Sequence, residues 1–193
     1  MEEKSGLDKL LENLAKFDLV PDVSIVDKGT LLAPQNRFAH SHTVTALLSD
    51  SIYFVARSNV SSSFTGIYSS INLPEEAEYK VFKRNWFDFL FFPKRQKLGV
   101  KYTDEQLTIV SSRWVPSKEL NSENVHLFLA VNKTGRSYNL VVGNNYLSSI
   151  VEPLTDRKVI GLETNDWIHG AEDLENLLKI GEELIRNIKH ACG

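Results

Sequence analysis

The chain has 193 residues, with 22 lysines and arginines against 25 aspartates and glutamates for a net charge of −3, a balance that argues against a bulk nucleic-acid binder. Apolar residues make up 42% and charged residues 24%, a globular composition that excludes disordered and fibrous classes. The single cysteine, Cys192, excludes an internal disulfide and a cysteine-based metal cluster, and no apolar run approaches the roughly 18 residues of a membrane span.

In chain order, the first predicted element is a helix over 5–18. Leu7, Leu10, Leu11, Leu14 and Phe17 recur at spacings of three and four and so share one stripe. Ser5 is its expected N-cap and Asp8 suits the dipole of its first turn, while Pro21 is expected to end it. Strand-like runs follow: 23–26, a turn at Lys28-Gly29, then 42–48 and 52–57 as a hairpin around Ser49-Asp50-Ser51. A small polar turn over 59–63 precedes a third run over 64–73, which Pro74 and its neighbours break. Residues 79–84 alternate, with Tyr79, Val81 and Lys83 on one face and Lys80, Phe82 and Arg84 on the other. Residues 98–104 read as a loop joining two strands, and 107–111 as another strand.

The second half predicts a hairpin of 125–131 and 138–142 around Asn132-Lys133-Thr134-Gly135, with Gly143-Asn144-Asn145 stopping its second strand. A short helix over 146–154 and a strand over 158–162 come next. The clearest element is the last, a helix between Gly170 and His190, where Leu174, Leu177, Leu178, Gly181, Leu184, Ile185 and Ile188 trace one stripe. Gly181 costs about 1 kcal/mol there relative to alanine, which implies that the helix backbone comes close to a sheet. The fold class is therefore α+β: a mostly antiparallel sheet built from hairpins, with an N-terminal amphipathic helix and a long C-terminal helix packed on one sheet face. No linker divides the chain, so residues 1–193 are expected to form one domain, with sub-regions 1–115 and 116–193.

Short catalytic signatures are missing: there is no phosphate-binding glycine loop, dinucleotide fingerprint, His-Glu-x-x-His or Gly-x-Ser-x-Gly elbow. His40 and His42 would share a strand face and could approach a metal together, but no third ligand stands at a fixed spacing, and Val44, Ala46 and Leu48 continue the same face as a half-buried strand would. Trp167, His169, Glu172 and Asp173 gather at the start of the last helix, where an anion site or an acid–base histidine competes with a plainer role, Trp167 stapling the helix while the acids satisfy its dipole. Cys192 lies past the stripe and is expected to fray, a poor setting for a nucleophile.

The most suggestive stretch is 80–101. Lys80, Lys83, Arg84, Lys94, Arg95, Lys97 and Lys101 face a single acid, Asp88, around an aromatic centre of Trp86, Phe87, Phe89, Leu90, Phe91 and Phe92. The first expectation is a buried strand, or a turn and strand, whose aromatics fill the core with the lysines at its solvent ends. The second is a partner surface formed by Lys83, Arg84, Trp86, Phe91, Phe92, Lys94 and Arg95, which an anionic membrane could also meet. Single-stranded nucleic acid is the least favoured occupant. The sequence thus points to a cytoplasmic, non-enzymatic binding module with a protein partner and no cofactor. The alternatives are an enzyme using His40, His42 or His169 in a cleft, and a peripheral membrane module inserting Phe91 and Phe92.

Overall fold

The computed structural model describes residues 5–27, 40–59, 62–93, 95–111, 113–133, 135–144, 147 and 149–193. The expected turn at Lys28-Gly29 lies outside the described residues, as do Val60 and Ser61 of the 59–63 turn, Thr134, Asn145, Tyr146 and Ser148. Eight strands form one sheet in the order β1-β2-β3-β4-β8-β7-β5-β6, and each neighbouring pair is antiparallel. The fold is α+β, with a helix at each end of the chain.

Helix α1 (Gly6–Ala15) opens on a reciprocal cap: Asp8 N–H donates to Ser5 Oγ, and Ser5 N–H donates to the Asp8 carboxylate. It stops before Pro21 because Asp18 turns the chain through the left-handed region, at φ 57°. Strands β1 (Asp22–Asp27), β2 (His40–Ser49), β3 (Ile52–Ser58) and β4 (Ser63–Ser70) form a meander. Asp50 and Ser51, both at positive φ, make the two-residue turn between β2 and β3. The chain then passes over two strand positions. Strand β5 (Tyr79–Lys83) lies between β6 (Leu107–Ser111) and β7 (Asn139–Asn144), so β6 and β7 run in the same direction. Strand β8 (Lys158–Thr164) joins β7 to β4 and closes the sheet.

The predicted hairpin of 125–131 with 138–142 does not form. Residues Ser122–Val131 are helix α4, which carries the crossover from β6 to β7. Asn121 caps it by accepting from Asn124 N–H, and Val125, Phe128 and Val131 bury one face at a spacing of three. At its end the Asn132 side chain donates to the Phe128 carbonyl and accepts from Tyr138 N–H, which holds the returning chain. Gly143 and Asn144, expected to stop the strand, instead pair with Val159 and Lys158. Among the described residues of the helix expected over 146–154, the one helical stretch is a 3₁₀ turn, Glu152–Leu154, with Pro153 at a position where its missing N–H costs nothing.

Strand alternation gives the sheet two different faces. Val44, Phe54, Ile67, Val81, Ile109, Leu140 and Leu162 meet Leu10, Leu14, Phe128, Leu177, Ile185 and Ile188 from the helices in one continuous core. Each such side chain contributes about 1.5–3 kcal/mol when fully buried. The C-terminal helix runs as α5 (Ala171–Asn176), a π-helical turn (Leu177–Gly181) and α6 (Glu182–Cys192) without a break. A Cβ on Gly181 would lie 2.9 Å from Leu162 Cδ2 and 3.0 Å from Ile67 Cδ1, so the glycine lets this helix settle on the sheet.

The opposite face carries a smaller core of Val55, Tyr68, Leu147, Val151, Leu154 and Val159. There the Tyr68 ring lies flat over Gly161 and Gly66, and its hydroxyl donates to Glu163 Oε2 at 3.0 Å. A Cβ on Gly161 would come within 2.5 Å of Tyr68 Cε1, and one on Gly66 within 2.8 Å of the Tyr68 hydroxyl.

Cys192, expected to fray past the stripe, is the last residue of the C-terminal helix. It closes α6, half-buried against the main core, and burial first and Glu119 second push its thiol up to about 11, against the opposing pull of Lys118. Burial also raises the Tyr79 phenol, with help from Glu119 and Cys192, and the Tyr138 phenol, with help from Asp173. All three acids are thus held neutral in the fold. As pH rises past the ordinary thiol value of 9.0, the unfolded chain releases protons that the folded chain keeps, so stability falls. Melting temperature measured from about pH 8 to about pH 11 is expected to be flat at first and then to decline, with Cys192→Ala moving the onset toward the phenol range. A melting temperature that stays level across this window would show that the three groups are not sequestered.

Candidate functional site: an exposed aromatic ridge

Between β5 and its partner β6 the chain leaves the sheet over residues 84–106. This excursion is firmly tied down. Gln96 N–H donates to the Ile109 carbonyl at 2.9 Å in an isolated bridge along the outer side of β6. Arg84 and Arg95 each donate to the Asp104 carbonyl, at 3.1 and 2.9 Å, and Arg95 also reaches the Leu107 carbonyl at 3.2 Å. The Asp104 carboxylate accepts from Leu98 and Gly99 N–H at 2.8 and 3.0 Å. A helix, α3 (Lys101–Gln106), leads straight into β6 where the sequence predicts only a loop.

Within the excursion, α2 (Asp88–Phe91) is a single turn with two distinct sides. Asp88 and Phe92, four residues apart, face inward. Asp88 is buried and accepts from Asn85 N–H and from the Thr108 hydroxyl of β6. The Phe92 ring packs on Phe82 of β5, with centroids 5.2 Å apart. Phe87, Leu90 and Phe91, spaced three and four, face outward beside Trp86. Their exposures are 46% for Phe87, 60% for Leu90, 72% for Phe91 and 71% for Trp86, values that place four large apolar side chains in solvent. The Trp86 and Phe87 rings lie against each other, with centroids 3.7 Å apart.

The buried strand expected for this window is therefore corrected. Among the described residues of the window only those of β5 are strand; Phe82 and Phe92 pack on each other and Asp88 meets Thr108 of β6, while Trp86, Phe87 and Phe91 stand outside. Of the seven residues predicted as a partner surface, Trp86, Phe91 and Lys83 are exposed. Phe92 is half-buried, and the Arg84 and Arg95 guanidinium groups are committed to carbonyls inside the excursion. Lys94 lies outside the described residues. Reasoning from sequence alone left Phe87 and Leu90 off that surface and gave Asp88 no role as its inner anchor. The signal was present in the spacing, which puts 87, 90 and 91 on one side of a helical turn and 88 and 92 on the other.

His42 is half-buried on the helix-facing side of β2, in line with Val44 and Ala46; the side chain of His40 is not among those described. Among the described residues, no three histidine, cysteine, aspartate or glutamate side chains are grouped to hold a metal ion. The His169 carbonyl accepts from Asn13 Nδ2 of α1 at 2.7 Å. Trp167 and His169 lie beside Gly6 of α1, and Trp167 packs against the main core. Arg136 pairs with both Asp166 and Asp173, and Glu172 is exposed.

A cavity of about 560 Å³ is lined by Ser70, Ile71, Asn72, Leu73, Arg157, Lys158 and Lys189. Its two lysines are occupied: Lys189 donates to Ser51 and Ser69 hydroxyls at 2.9 and 2.8 Å, and Lys158 to the Glu75 and Ala77 carbonyls at 2.7 and 3.1 Å. A second cavity, about 360 Å³, lies between α3 and α4, where Tyr102 stacks on His126 at 5.4 Å and the His126 ring is held to the Ser122 carbonyl. No family model matches this chain, and a search of curated proteins finds no match. The fold and site define an α+β protein that presents a pinned aromatic ridge at one end of its sheet.

Proposed function

We propose that this chain is a non-enzymatic binding module whose recognition surface is the ridge of Trp86, Phe87, Leu90 and Phe91. The observation that carries the reading is that these four apolar side chains stand in solvent on a segment held by Asp88, Phe92, Arg84 and Arg95. Exposed aromatics on an ordered support lose little conformational freedom on binding, which is how interface anchors gain affinity. The histidine-based enzyme reading has less support: His42 lies half-buried in line with Val44 and Ala46, and His169 meets Asn13 through its backbone carbonyl.

The test pairs stability with capture. Trp86→Ser combined with Phe91→Ser is expected to leave stability within about 0.5 kcal/mol of the parent, as surface changes do. A photoreactive residue at position 91 is expected to capture a cellular protein or lipid that the same residue at exposed Val20 does not. A loss of several kcal/mol in the double variant would make the ridge part of the core, and capture no different from that at Val20 would leave it without a partner; either result ends the reading.

A further inference from the structure

Resting on the ridge being a recognition surface, we infer that what it recognises is an anionic lipid surface. The first argument is the sign of the charge around it. Between Tyr79 and Lys97 the one carboxylate, Asp88, is turned inward and buried, while Lys83 and Lys97 are exposed; farther on, Lys101 is paired with Glu105 and the Asp104 carboxylate is held by Leu98 and Gly99 N–H. The arginines of the same stretch are spent on the internal carbonyls of Asp104 and Leu107. Among the described residues, the exposed charges nearest the apolar tip in the chain, Lys83 before it and Lys97 after it, are therefore cationic. Lysine suits those positions, since its stem lies along apolar surface while its ammonium reaches the headgroups.

The second argument is shape. Trp86, Leu90 and Phe91 are each well over half exposed, and the cavities described above are lined by other residues. A projecting tip enters a fluid interface, whereas a helix or strand from another protein needs a groove or an open strand edge to receive it. Tryptophan and phenylalanine beside leucine are the side chains that settle at the headgroup–acyl boundary. Among the described residues no helix is long and apolar enough to cross a membrane, so the contact is peripheral.

The experiment is co-sedimentation of the full chain with phosphatidylserine–phosphatidylcholine vesicles and with phosphatidylcholine vesicles alone. The parent is expected to bind the first and not the second, and to lose about tenfold in affinity when salt is raised from about 0.1 M to about 0.5 M, as the Debye length shortens. Trp86→Ser with Phe91→Ser is expected to abolish binding, and Lys83→Glu with Lys97→Glu to weaken it by about tenfold or more. On binding, tryptophan emission should shift to the blue in the parent and not in Trp86→Phe. Two results overturn the inference: no binding to anionic vesicles, or binding that ignores the ridge substitutions and follows the lysines alone. If vesicles fail while the ridge variant keeps its stability and position 91 captures a protein, the lipid is wrong and the module stands. If the ridge variant unfolds, both fail together.

Discussion

Gly161→Ala is expected to lower stability by about 3 kcal/mol, at the upper end of what overpacking costs. For a chain of this size that corresponds to a fall in melting temperature on the order of 10 °C. The reason is the Tyr68 ring. It is fully buried, its hydroxyl is held by Glu163, and a new methyl at 161 would lie within 2.5 Å of Cε1, so neither partner can yield cheaply. Gly143 is the matched control: it also lies in the sheet, but a Cβ there meets nothing within 4 Å. Gly143→Ala is expected to be neutral or to stabilise by about 0.5 kcal/mol. Removing the ring with Tyr68→Ala should make the two substitutions cost less together than their sum. Equal costs at 161 and 143 would show that the ring does not lie on the sheet as described.

Phe128→Ala is expected to cost about 3–5 kcal/mol, the usual range for deleting a buried aromatic. The comparison with its neighbours makes this a test of α4 itself. In a helix Phe128 faces the core and is fully buried, while Leu127 and Leu129 are half-buried. In a strand Val125, Leu127, Leu129 and Val131 would share the more apolar face and turn inward, with Phe128 beside His126 on the other. Urea titrations of the three alanine variants should therefore rank Phe128→Ala well above Leu127→Ala and Leu129→Ala. The reverse ranking would remove the helix.

These two substitutions also mark the limit of what the sequence reveals. The capping of α1 by Ser5, the turn at Asp50-Ser51 and the apolar stripe of the C-terminal helix were legible because each is a local pattern with one reading. Helix α4 was not, because Val125, Leu127, Phe128, Leu129, Ala130 and Val131 make an almost continuous apolar run, in which periods of 2 and 3.6 cannot be told apart. Its cap at Asn121 was the overlooked cue. The need for glycine at 161 comes from a tyrosine 93 positions away, visible only once β4 and β8 are paired. At the site, composition singled out the stretch 80–101 but could not say which way its rings face. That depended on the packing of Phe92 on Phe82 of β5, a contact visible only in the fold.

The strand order has a bearing on how such a chain comes into being on the ribosome. The meander β1–β4 is made first, yet the inner edge of β4 waits for β8, and much of its apolar face waits for Leu177, Ile185 and Ile188. An emerging chain that ends before residue 158 therefore presents an open strand edge and an uncovered sheet, the features that recruit chaperones or self-associate. Translation stalled in that interval should yield a protease-sensitive, chaperone-bound species, and β8 and the helix over Ala171–Cys192 are the elements that release it.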